Sequence, residues 1–166
     1  MSMNEFGIAP GTAVGFGIYA EQPIVAQNES HTDFGPQPFV VDIAKATLHN
    51  DTFRTALWTG PHLQLTVMSV NPGESLGLEV HPHVDQFLRL ESGVGLCQIG
   101  DSKDNLYFEQ PVYDDDAVFV PAGHWHNITN TGSTPMKLYT IYAPPNHPKG
   151  TVHATKQVAE LEEGHH

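Results

Sequence analysis

From Phe53 to Tyr142 the chain alternates short stretches of period-two hydrophobicity with clusters of Gly, Pro, Asn and Asp, a rhythm that leaves few folds open. In residues 62–70, Leu63, Leu65 and Val67 share one face while Gln64, Thr66 and Met68 share the other, as on a strand. Turn composition at Thr59, Gly60 and Pro61, again from Asn71 to Glu74, and again over 100–105, separates one stretch from the next. The pattern predicts strands over 53–58, 62–70, 78–83, 86–91, 94–99, 105–108, 117–120, 124–130 and 136–142. So many short antiparallel strands protect their edges by closing on themselves, so the expected fold class is all-β, a barrel.

The flanks read differently. Residues 1–38 are rich in Gly, Pro, Ala, Asn and Gln, carry no Lys or Arg and keep no period, which predicts an extended, partly ordered arm. Its apolar residues, among them Phe6, Val14, Phe16 and Ile18, suit a sheet edge of this subunit or a neighbour. A short helix is predicted over 39–48, ended by His49, Asn50 and Asp51. After Pro144 and Pro145 stop the last strand, a helical pattern over 155–162 closes the tail. The organisation is therefore an arm (1–38), one barrel domain (39–143) and a short C-terminal helical tail (144–166).

Charge and cysteine usage narrow the partners. With 7 Lys and Arg against 19 Asp and Glu, a formal charge of −12 repels nucleic-acid backbones and anionic membrane surfaces. No run approaches the roughly 18 apolar residues of a membrane span, and the first residues lack the basic start of a signal peptide. Cys97 has no second cysteine to pair with, which fits a reducing, cytoplasmic setting.

Histidine carries the chemistry. Residues two apart on a strand point the same way, so His81 and His83 present two imidazoles in one direction, and neutral imidazole is the commonest metal ligand. His126 supplies a third from a separate strand. If the strand ran on unbroken, Asp85 would share their face and complete a two-histidine, one-carboxylate set. Pro82, which has no amide donor, argues for an edge or a bulge here.

Two stretches resemble the motifs of the cupin family. The first is written glycine, five residues, His-x-His, three or four residues, glutamate, six residues, glycine; His81, His83 and Gly93 match it, after a Pro72 and Gly73 turn. The second is written glycine, five residues, Pro-x-Gly, two residues, histidine, three residues, asparagine; Pro121, Gly123, His126 and Asn130 match, with Asp115 in place of the leading glycine. The 21 residues between Gly93 and Asp115 are similar to the short spacer of small single-domain bacterial cupins. The core motifs cover 71–130. Counting back from Gly93 puts the family's acidic ligand at Gln86, which is taken as the ligand with Asp85 as the alternative.

The resemblance implies a jelly-roll β-barrel holding one divalent transition metal ion (Fe, Mn, Ni, Zn, Cu or Co) through His81, His83, Gln86 and His126. Four neutral donors would leave the ion's charge uncompensated. The implied activity is that of an enzyme on a small organic molecule, with the metal as Lewis acid or oxygen-activating centre, of dioxygenase, isomerase or cyclase type. The other reading is a non-catalytic small-molecule or sugar sensor. Only Arg54, Arg89, Lys103 and Lys137 are basic between Phe53 and Tyr142, which disfavours a phosphorylated substrate. Leu88 and Leu90, on the face of Gln86, suggest an apolar pocket for a small aromatic or enol-like compound. Similar cupins pair as homodimers through sheet faces and N-terminal arms, so a homodimer is expected.

Overall fold

The structure, a computed structural model, describes residues 32–164; most of the expected N-terminal arm, together with His165 and His166, lies outside the described residues. The strands are β1 (Arg54–Thr59), β2 (Gln64–Val70), β3 (Asp85–Ser92), β4 (Gly95–Gly100), β5 (Phe108–Val112), β6 (Ala117–Val120), β7 (Trp125–Asn130), β8 (Met136–Ala143) and β9 (Val152–His153). Helix α1 (Ile43–His49) precedes them and α2 (Lys156–Glu163) follows. A six-stranded sheet in the order β6-β3-β8-β2-β1-β9 faces a three-stranded sheet in the order β5-β4-β7, giving the jelly-roll barrel.

Period-two alternation explains how the two sheets meet. Met68 and Val70 of β2, Leu88 and Leu90 of β3 and Leu138 of β8 pack against Cys97 and Ile99 of β4 and Ile128 of β7. Full burial of each such side chain contributes roughly 1.5–3 kcal/mol. Every residue of β2 is buried, because its opposite face, Leu65 and Val67, lies with Tyr139 under Ile43 of α1. Leu88 and Leu90 are both 0% exposed and belong to this core, so the apolar pocket expected beside Gln86 is not built from them.

Capping groups set the helix limits. The Asp42 side chain accepts from the Lys45 amide at 3.0 Å, so α1 starts after Asp42 and not at the expected Phe39. Thr155 caps α2 in the same way through the Val158 amide, at 3.2 Å. This turns Ala159 into the barrel core.

Two predicted strands are displaced. Over 78–83 only Glu79 pairs, in an isolated bridge with His126, since Gly77 has a φ of +100° and Pro82 and His83 form a turn. β5 begins at Phe108 and not at Asn105: its first four residues are exposed, so no buried face marks it, and Pro111 is tolerated because β5 is an edge strand. β9 is too short to leave a periodic signal, yet its His153 pairs with Arg54 of β1.

Two left-handed residues fix the motif turns. Gly93 has a φ of +116°, and a Cβ there would lie 2.9 Å from the Met136 Cα. Gly93→Ala is expected to destabilise the fold by about 1–3 kcal/mol, read as a lower urea midpoint at unchanged slope. Asp115, where the motif has glycine, also keeps a positive φ of 73°, and its carboxylate accepts from Arg89 at 2.9 Å. Aspartate tolerates this region better than most side chains, which is how the motif survives the replacement.

Candidate metal centre

Where the segment after Gly77 runs beside β7, its backbone exchanges two hydrogen bonds with His126: Glu79 N–H to the His126 carbonyl at 3.1 Å, and His126 N–H to the Glu79 carbonyl at 2.9 Å. That pairing sets Glu79 next to His126, and two residues on His81 joins them. Glu79 Oε1 lies 3.3 Å from His81 Nε2 and 3.7 Å from His126 Nε2, and one ligand atom from each residue falls within 4.8 Å of the others. Two ligands bound about 2.1 Å from one tetrahedral ion sit about 3.4 Å apart, so these separations suit a shared cation.

The donors are prepared for that task. His126 Nδ1 lies 3.0 Å from the His124 carbonyl, which can only accept, so Nδ1 carries a proton there and Nε2 is the nitrogen turned toward Glu79. Gln86, 3% exposed, donates its amide to Thr140 Oγ1 at 3.0 Å, which turns its Oε1 away from that contact. His81 Nε2, His126 Nε2 and Gln86 Oε1 are all buried without a hydrogen-bond partner. Buried polar atoms are almost always satisfied, so three orphans from the motif positions, with a carboxylate beside two of them, match the donor set of a metal.

Burial by itself would raise the Glu79 carboxyl, but the neighbouring imidazoles of His126 and His81 hold it well below the usual carboxylate range. Glu79 is therefore an anionic donor at neutral pH. With one carboxylate in the set, a divalent ion keeps about one unit of charge and not the two expected for all-neutral donors.

His83 and Asp85 are placed elsewhere. His83 follows Pro82 in the turn, exposed and apart from the donor cluster. Asp85 is exposed and its carboxylate accepts from the Ala122 amide at 2.9 Å, bracing the loop that carries the second motif. Sequence reasoning missed Glu79, although a signal was present: five residues after Gly73 lead to Glu79, not to His81. In that register Glu79 and His81 fill the His-x-His positions, four residues precede Gln86, and six separate it from Gly93, with no count short.

A family model described as "Cupin domain" matches residues 66–142, and the chain is 65% identical over 124 residues to the uncharacterized protein YrkC of Bacillus subtilis (strain 168), covering 75% of this chain and 67% of that protein. The chain belongs to the cupin family. This cupin is also 38% identical over 117 residues to an uncharacterized protein of Acanthamoeba polyphaga mimivirus, covering 70% of this chain and 71% of that one. The crystal structure of BH2720 from Bacillus halodurans superimposes with a TM-score of 0.78 at 60% identity, over 78% of this chain and 98% of that one. Among the described residues no helix is long and apolar enough to cross a membrane.

A second polar cluster of the cupin lies under α2. His147 and His153, which have no partners at readable sequence spacing, meet Arg54 there. Glu163 Oε1 is 3.1 Å from His147 Nδ1 and 3.4 Å from the Arg54 guanidinium, and Arg54 also contacts His153 Nδ1 at 3.1 Å. The other His147 nitrogen is 3.3 Å from the hydroxyl of Tyr142, whose ring meets His81 edge-on at 5.8 Å between centroids. Burial outweighs the Glu163 carboxylate and lowers His147; for Glu163, burial is outweighed by His147 and Arg54, which lower it.

These two shifts act in the same direction. The unfolded chain takes up a proton at His147 near pH 6.5 before the folded one does, and at Glu163 near pH 4.3. Stability contributed by each group is present above those values and lost as pH falls through the depressed folded ones. Glu163→Gln is expected to flatten the urea-stability profile below about pH 4.5 relative to the parent, while leaving the two curves parallel above pH 8.

Proposed function

We propose that Glu79, His81, Gln86 and His126 hold one divalent first-row metal ion, and that the site serves an enzyme acting on a small organic molecule. The observation that carries this reading is the convergence of two buried, unpartnered imidazole nitrogens, of His81 and His126, on the Glu79 carboxylate. When bound, such an ion supplies Lewis acidity, and iron, manganese, nickel, copper or cobalt could also activate oxygen.

The chain's own groups do the rest. His81 and His126 would offer imidazole nitrogens, Glu79 would offset part of the ion's charge, and Thr140 fixes the Gln86 amide so that its oxygen is the available donor. Glu79, a donor in this scheme, is not free to act as a base. His147, oriented by Glu163 and set against Tyr142, is the histidine outside the donor set that also lines the cleft above the site.

Protein purified without added metal or chelator is expected to carry about one equivalent of a first-row ion by elemental analysis, and stripped protein to take up Co(II) with the same stoichiometry. Absence of metal together with failure to bind Co(II), Ni(II) or Zn(II) in calorimetry would sink the metal reading and favour the non-catalytic sensor.

A further inference from the structure

Helix α2 is tied to the barrel mainly by polar contacts. Of its eight residues only Ala159 is buried, and Leu161 is left exposed, so apolar packing holds the helix weakly. Its last turn supplies the tie. Glu163 Oε1 lies 3.1 Å from His147 Nδ1 and 3.4 Å from a terminal nitrogen of Arg54, and Glu162 Oε2 lies 2.9 Å from His153 Nε2. An ionised carboxylate only accepts, so His147 Nδ1 and His153 Nε2 carry the protons. Arg54 only donates, so His153 Nδ1 is the bare nitrogen that accepts from it at 3.1 Å.

Arg54 is the residue this arrangement leaves incomplete. It is 2% exposed, and its Nε is buried with no hydrogen-bond partner. A guanidinium holds a carboxylate best through two parallel N–H bonds, yet Glu163, fixed to its helix, takes one at 3.4 Å. We propose that Arg54 and His147 form a binding site for a small carboxylate, that Glu163 fills it as an internal stand-in, and that a free carboxylate competing for it releases the end of α2. A free anion meets both guanidinium edges, which a tethered side chain does not. His147 Nε2, 3.3 Å from the Tyr142 hydroxyl, accepts from it and so keeps the Nδ1 proton aimed at the anion. His153 positions Arg54 from its other side. Because α2 walls the cleft of about 680 Å³ that His147 and Trp125 also line, its release widens that cleft. The site uses none of the four proposed metal donors, so it stands or falls separately from the metal reading.

The test uses the full chain at about pH 8, with sodium formate exchanged for sodium chloride at constant ionic strength and the imidazole proton resonances of His147 and His153 followed by NMR. Glu163→Ala, in the last turn of α2 where alanine favours helix, is expected to bind formate saturably and at least about tenfold more tightly than the parent, in which the anion must first displace the side chain. Glu163→Gln, which keeps the shape and removes the charge, falls between the two. Amide exchange over 157–161 is expected to rise severalfold in Glu163→Ala without formate, and in the parent once formate saturates. No saturable formate shift in Glu163→Ala, or equal affinity in Glu163→Ala and the parent, overturns the site. Exchange in α2 that stays at the parent's rate under saturating formate overturns the release. If Glu163→Ala loses the parent's thermal transition, Glu163→Gln against the parent decides by the same criteria.

Discussion

His126→Ala is expected to reduce Co(II) or Zn(II) affinity by more than about a hundredfold, with Glu79→Gln close behind, while His83→Ala stays within about threefold of the parent. The reason lies in placement. His126 is 1% exposed with its Nε2 facing Glu79, and its Nδ1 is committed to the His124 carbonyl, so no rotation brings another donor in. Glu79→Gln keeps the shape and removes the set's single charge, whereas His83 sits exposed in a turn. Calorimetric titration of the stripped proteins, each checked for a parent-like thermal transition, reads the three affinities directly. A large loss in His83→Ala with an intact site in Glu79→Gln would return the ligand pair to His81 and His83.

Leu138→Ala is expected to destabilise the fold by about 2–5 kcal/mol, a loss that places the urea midpoint well below the parent's. Leu138 is 0% exposed and lies in the central strand β8, flanked by β3 and β2, where it pairs across with Leu90 and Met68. A cavity there is walled by strands on both sides, so the surroundings have little freedom to collapse into it. Metal affinity in this variant should remain within a fewfold of the parent below the transition, because no donor touches Leu138. A change under about 1 kcal/mol would mean that the two sheets pack more loosely than their burial indicates.

Much of the barrel was legible. β6 (Ala117–Val120) matches its predicted limits, and β2, β3, β4, β7 and β8 fall within two residues of theirs, because alternation of apolar and polar side chains is a local property of a strand with one face in a core. The short strand β9 and the exposed edge strand β5 carry no such alternation and were missed or misplaced. For β2 the pattern revealed a strand but not its inner face: Met68 and Val70 enter the core, while the Leu65 and Val67 face is buried under α1 instead.

The amino-acid sequence by itself determined the fold class, the family, and the presence of His81, Gln86 and His126 at motif positions, since each of these depends on spacing along the chain. Only the tertiary structure decided which residues stand around one point. Glu79 stands beside His81 and His126 because a backbone bridge to His126 holds it there, while His83 lies exposed in the turn with Pro82 that precedes the strand. Parity of a strand assigns faces only while the strand continues. Where glycine and proline interrupt it, the direction of a side chain is fixed by contacts between segments distant in the chain, and these no local pattern records.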